Sequence, residues 1–303
     1  HVDIASQIFD AAGMTYEDAK SMAQKSDFQP MDMGASIDVR LRSESEQIAA
    51  KNVVGILPGN ARSDEHIVFT GHHDHLGVGS PDETGDTIYN GAIDNATGLA
   101  LMIEMGRAFV DHGGTDRSLV FLAVGAEESG LLGAKYYAEN PLYPLATTAG
   151  VINTDAPGVH GPTRDFSISG SAKLGLLDIM IEEAGKLGRR YSPDPNPAAG
   201  GFFRSDHFAF AQVGVPAVSF SSGRDLVEGG TERAAQISAA YAADDYHQQS
   251  DEWSPDWDLT GIVNDAQLIF AVAERLGNSE DWPNWADGSE FKALRDASAE
   301  ARE

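Results

Sequence analysis

From residue 52 onward, short apolar runs alternate with longer stretches of helical period, the pattern of a sheet covered by helices on both faces. Residues 52–57 and 66–70 are β-branched runs separated by the turn signal Pro58-Gly59-Asn60. A Gly/Asp/Glu-rich loop over 78–90 follows, then a helix over 96–110 with Leu99, Ile103 and Phe109 as its buried stripe. Residues 118–124 read as a fully apolar strand, 130–139 as a helix, 150–154 as a strand and 174–187 as a long helix. Beyond a Pro/Gly-rich loop at 192–201, residues 213–220 form another buried strand and 259–276 a closing helix. A tail over 277–303 carries Trp282, Pro283 and Trp285. Ahead of this block, Ile4, Ile8 and Phe9 recur at helical spacing, Thr15 stands where it would cap a second short helix, and 36–41 alternates as a half-buried strand does. The pattern predicts an α/β fold: a three-layer α/β/α sandwich around a mixed, mostly parallel sheet. It reads as one domain over 1–303, with residues 1–45 a helical lead-in and first strand.

Charge narrows the partners. The 303 residues hold 21 Lys+Arg against 47 Asp+Glu, a net charge of −26. That argues against nucleic acid and anionic membrane surfaces, both of which need basic patches. The longest apolar stretch, around 119–126, is far short of the ~20 residues of a membrane span. With no cysteine there are no disulfides or thiolates, so any metal must be held by His, Asp and Glu. The chain begins at His1 without Met or an apolar signal core, and reads as a processed or trimmed product.

Ligands in such a fold gather beyond the carboxyl ends of the strands. There lie TGHHDHLG with His72, His73, Asp74 and His75, NGAIDNATG with Asp94, VGAEESGLLG with Glu127 and Glu128, INTDAPG with Asp155, and DDYHQQSDEW with Tyr246 and His247. Singly, each has a plain reading: Asp94 as a helix N-cap, Glu127 and Glu128 as first-turn acids, Asp155 as a turn residue, His247 as a surface histidine. Three histidines and an aspartate within four residues suit a metal better, and five such segments at strand ends suit a metal hydrolase. Zinc accepts imidazole nitrogen and carboxylate oxygen, and a carboxylate can bridge two metals about 3.5–4 Å apart. Asp74, two residues past His72, points to the same side of an extended chain and is placed to accept that imidazole's second N–H.

The segments GHHDHLG, GAIDNATG, AEESGLLG, NTDAPG, SDHFAFAQVGVPA and YHQQSDE resemble the co-catalytic zinc exopeptidases of the bacterial leucyl-aminopeptidase and glutamate-carboxypeptidase type, over about 52–276 and in that family's order. The resemblance implies two Zn²⁺: His72 and Asp155 on one, Glu128 and His247 on the other, Asp94 bridging with a cis peptide after it. It implies Glu127 as general base and acid, Asp74 as partner of His72, and Tyr246 near the developing oxyanion, against the plain reading of Tyr246 as a partly buried core residue. The lead-in and tail resemble the subset carrying a protease-associated domain, which is not recognisable in this chain.

Aminopeptidase action on peptides is the leading expectation. The nearest alternative is a carboxypeptidase or dipeptidase, for which Arg204 and Arg224 would meet the substrate carboxylate; a mono-zinc glutaminyl cyclase and a non-catalytic binding module follow. His73 and His75 are expected to pack or hydrogen-bond rather than ligate, Asp206 to have a supporting role, and His207 to shape the substrate pocket. An extracytoplasmic location, periplasmic or secreted, is expected mainly from the resemblance. Side-chain specificity and oligomeric state have no signal here.

Overall fold

In the computed structural model, which describes residues 1–36, 38–45 and 47–302, the chain divides into two units at the Ile48–Ala49 boundary. The first carries helices α1 (Val2–Ala11) and α2 (Tyr16–Ala23). Thr15 caps α2 as its position suggested, Oγ1 accepting the Asp18 N–H at 3.1 Å. Neither helix buries a residue. The strand expected over 36–41 does not form among the described residues: 36 and 38–41 are exposed and unpaired, and Ile37 lies outside the described residues. Alternation makes a strand only where a neighbour accepts the backbone hydrogen bonds.

The second unit is built on strands β1 (Val53–Leu57), β2 (Arg62–His72), β3 (Gly77–Val78), β4 (Ile88–Tyr89), β5 (Arg117–Val124), β6 (Thr148–Thr154), β7 (Asp165–Ile168), β8 (Arg190–Tyr191) and β9 (Ala217–Ser222). Seven form one sheet in the order β1-β5-β2-β6-β9-β7-β8, while β3 and β4 make a small antiparallel hairpin inside the loop expected to be plain. The β5-β2, β2-β6, β6-β9 and β7-β8 pairs are parallel; β1-β5 and β9-β7 are antiparallel. This is the mixed, mostly parallel sheet that the alternation predicted.

Side chains alternate across the pleat and fill two cores. Ile67 and Phe69 of β2 join α3 (Gly98–His112), α5 (Gly175–Lys186) and α8 (Thr260–Asn278) on one face. Val68, with Val120, Leu122 and Val124 of β5, meets α4 (Leu132–Glu139) and α6 (His207–Gln212) on the other. Each large apolar side chain so buried contributes about 1.5–3 kcal/mol. The stripe of α3 is Leu101, Met102, Met105 and Phe109, with Leu99 partly buried against the same core; of the expected stripe, Phe109 and Leu99 face inward, whereas Ile103 is exposed.

Residues 213–216, expected within a strand, instead form the turn between α6 and β9, with Gly214 at φ +89°. Two more helices, α7 (Gly230–Asp244) and α9 (Lys292–Ala297), complete the chain order. The tail packs into this unit: Trp285 is buried and its Nε1 donates to the Gly214 carbonyl at 3.0 Å, while the Arg117 guanidinium sits 4.4 Å over the Trp282 ring. Among the described residues no helix is long and apolar enough to cross a membrane.

Candidate metal centre

Parallel neighbours β5, β2 and β6 open their carboxyl ends on one edge, with His72 opposite Val124 and Thr70 opposite Asn153. Their continuations therefore bring His72, Glu127, Glu128 and Asp155 together. Asp94 enters from a helical turn (Ala92–Thr97) ahead of α3, and the Asp94–Asn95 peptide is cis. Asn95 pins that turn to the end of β6, its Nδ2 donating to the Thr154 carbonyl at 3.0 Å and its Oδ1 accepting the Ala156 N–H at 3.0 Å. Gly98 must lack a side chain here, since a Cβ would overlap Asn95 and the Thr154 carbonyl. His247 arrives from the loop after α7.

The two oxygens of Asp94 face different imidazoles. Oδ1 is 3.1 Å from His72 Nε2, which also lies 3.3 Å from Asp155 Oδ1. Oδ2 is 3.5 Å from His247 Nε2, which lies 3.2 Å from Glu128 Oε2. All five expected ligand side chains thus meet as two sets sharing Asp94, and ligand atoms of His72, Asp94 and Glu128 lie within 4.8 Å of one another. The four non-glycine residues with positive φ, among those described, all adjoin this place: Ala126 before Glu127, Leu131 closing the following turn, Ala156 after Asp155, and His247 itself. Strained backbone of this kind collects where surrounding structure over-determines it.

Electrostatics ask for positive charge. Burial pushes the Glu127 carboxyl up to about 8, with Asp155, Asp206 and Glu128 adding to the shift against His72. Glu128 is also raised, by burial and then by Asp94. Against the lowering effect of its burial, His72 is pushed up to about 12 by its hydrogen bonds to Asp155 and Asp94. Asp155 stays low despite burial because His72 and Ser205 donate to it, the latter at 2.8 Å. Such a donor set, imidazole nitrogen and carboxylate oxygen with no sulfur, fits zinc, and a metal cation satisfies the same field as the His72 proton.

Other residues divide less predictably. The Asp74 carboxylate is 3.9 Å from His72 Nδ1, too far for the expected hydrogen bond; the Asp74 carbonyl faces that nitrogen at 3.0 Å instead. The carboxylate accepts the Glu127 and Glu128 N–H groups, at 3.0 and 3.3 Å. His73 hydrogen-bonds the Lys51 carbonyl, whereas His75 reaches the site, its Nδ1 2.8 Å from Glu128 Oε1. Tyr246 is no core residue: it is 44% exposed and stacks on His247 at 3.9 Å. Asp206 and His207 are fully buried, and neither side chain has a hydrogen-bond partner among the described residues.

A cleft of about 600 Å³ opens over the cluster, lined by Glu127, Ser169, Phe203, Arg204, Ser221 and Tyr246 among others. Arg204 has no carboxylate within 4.0 Å among the described residues, while Arg224 is turned to the Pro193 carbonyl. Asp251 and Ser205 stand within the quoted motifs but carry no distinguishing signal in sequence; what marks them is burial, which sequence does not display.

A family model described as Peptidase family M28 matches residues 52–271. The chain is 26% identical to aminopeptidase NAALADL1 of Mus musculus over 200 residues, covering 58% of this chain and 25% of that one. It is 30% identical to aminopeptidase YwaD of Bacillus subtilis over 129 residues, covering 42% of this chain and 24% of that one. The chain thus spans about a quarter of the length of these relatives. Its fold is similar to that of the aminopeptidase from Aneurinibacillus sp. strain AM-1, with a TM-score of 0.54 at 22% identity over 76% of this chain and 49% of that one.

Proposed function

Because the chain belongs to peptidase family M28, we propose that it is a di-zinc aminopeptidase that removes N-terminal residues from peptides. One observation carries the reading: Asp94 offers its two oxygens to two separate sets of donors, His72 with Asp155 and His247 with Glu128. In this proposal each of those sets would hold one zinc, with Asp94 common to both. Zinc when bound supplies Lewis acidity and lowers the pKa of water toward ~7.

The chain's own groups supply the rest. A Glu127 carboxylate oxygen takes a proton from water as that water attacks the scissile carbonyl carbon, then delivers it to the leaving nitrogen as the C–N bond breaks. Its place in the lining of the cleft, beside the cluster, suits it to that transfer. Tyr246 lines the cleft, and its hydroxyl donates a hydrogen bond toward the developing oxyanion. Asp74 fixes the backbone of the acid pair, and the free α-amine of the substrate is held by the acids of the cluster.

A second reading, a carboxypeptidase or dipeptidase, draws on Arg204, whose place in the cleft suits a substrate carboxylate. A panel of aminoacyl, N-blocked and dipeptide substrates, with and without chelator, decides between them. Cleavage of aminoacyl but not N-blocked substrates supports the aminopeptidase; cleavage restricted to substrates with a free carboxylate supports the rival. Residence outside the cytoplasm belongs to the same proposal, and fractionation of cells making the native protein tests it.

A further inference from the structure

We propose that Asp251 is a positioning residue that sets the bridging carboxylate of Asp94 by clamping the backbone that carries it, an inference resting on the metallopeptidase reading above. Asp251 stands four residues past His247 in the same loop and is 1% exposed. Its Oδ1 accepts the Ile93 N–H at 2.8 Å and its Oδ2 the Asp94 N–H at 3.1 Å. Its own carbonyl accepts the Ala92 N–H at 3.0 Å. Tyr241, on α7, donates its hydroxyl to Oδ2 at 3.3 Å, so the clamp is itself held in place. Next to it, Asn90 Nδ2 donates to Glu252 Oε1 at 3.0 Å.

These bonds join the loop that presents His247 to the turn that presents Asp94. Asp251 does not line the cleft, so it acts through those amides rather than on substrate. The direction in which Asp94 aims its two oxygens depends on the path of residues 92–94, and Asp251 fixes three successive amides of that path. A carboxylate is the one side chain of this length that offers acceptors to two N–H groups at once without a donor of its own. Groups that orient a metal ligand in this way typically carry 10–100-fold of metal affinity.

Zinc titration of the full chain and its D251N and Y241F variants, by calorimetry after removal of metal, tests the clamp. Melting of the metal-free proteins and steady-state kinetics accompany it. D251N keeps the size but offers one acceptor to two amides. Its zinc affinity is expected to fall ~10–100-fold, with kcat lost at limiting zinc, regained with excess zinc, and KM unchanged. Y241F keeps both amide bonds and is expected to lose affinity in the same direction but less. Wild-type zinc affinity in a folded D251N overturns the inference, even where its metal-free melting point drops, because the role is then structural alone. Should D251N not fold, unchanged zinc affinity in Y241F overturns it. If the wild-type chain takes up no zinc, the metallopeptidase reading falls and this inference with it.

Discussion

Asp74 holds Glu127 by its backbone: Asp74 Oδ1 accepts the Glu127 N–H at 3.0 Å, and no side-chain contact between the two is needed. Because Oδ2 also accepts from Glu128 at 3.3 Å, one carboxylate sets the turn that aims both acids. D74A leaves two amides without their acceptor, at about 1–3 kcal/mol for each one that stays out of water. Activity should fall ~10–100-fold, mainly in kcat. Steady-state kinetics on an aminoacyl substrate checks this, and a D74A kcat equal to wild type contradicts it.

The two neighbouring acids should respond differently to the same change. E127Q keeps shape but cannot accept a proton, so kcat should drop at least ~10²–10⁴-fold with both zinc ions retained. E128Q replaces a charged donor that faces His247 and His75, so zinc should weaken and excess zinc should partly restore the rate. Metal analysis beside kinetics separates them; zinc lost from E127Q and kept by E128Q reverses the assignment.

Acid should destabilise the fold through His207. This imidazole is fully buried without a hydrogen-bond partner among the described residues, and burial lowers its pKa from 6.5 to about 3. Between those values the unfolded chain binds the proton and the folded chain does not, so stability falls as pH drops below 6.5 toward 3. At pH 4.5 the penalty approaches ~2–3 kcal/mol. H207L lacks it, so urea midpoints at pH 7 and 4.5 should differ less for H207L than for wild type. Equal pH dependence would show that His207 is not the group responsible.

The tail should be part of the fold rather than an appendage. W285A removes a buried ring that packs 4.9 Å from Phe291 and bonds the Gly214 carbonyl. A loss of about 3–5 kcal/mol is expected, visible in thermal or denaturant melting. An unchanged melting temperature contradicts this packing.

The clustering of the candidate site was legible because its expected ligand residues sit at fixed offsets from strands whose apolar runs announce themselves: His72 ends β2, and Asp155 follows β6. The short strands β7 and β8 were not legible, since four and two residues carry no period. In α3 the sequence places Leu99 and Phe109 on the inner face but also Ile103, which is exposed, because Leu99 and Ile103 satisfy i, i+4 spacing; which stripe faces the sheet is settled by the entry of the helix at Gly98. Asp74 was legible as a supporting group but not in its partner, for the turn of Glu127 and Glu128 depends on the positive φ of Ala126, which no residue type signals. Asp251 and His75 needed the third dimension altogether, being brought to Asp94 and Glu128 by loops remote in sequence.

The most direct test of the account is zinc stoichiometry joined to activity. The protein is stripped with chelator, titrated with zinc, and assayed on an aminoacyl substrate at each addition, beside D94A. The account predicts two zinc ions per chain, activity that vanishes on stripping and returns with zinc, and loss of both sites in D94A, because Asp94 faces both donor sets. Full hydrolysis by the metal-free chain, or two zinc ions still bound by D94A with wild-type affinity, would contradict it.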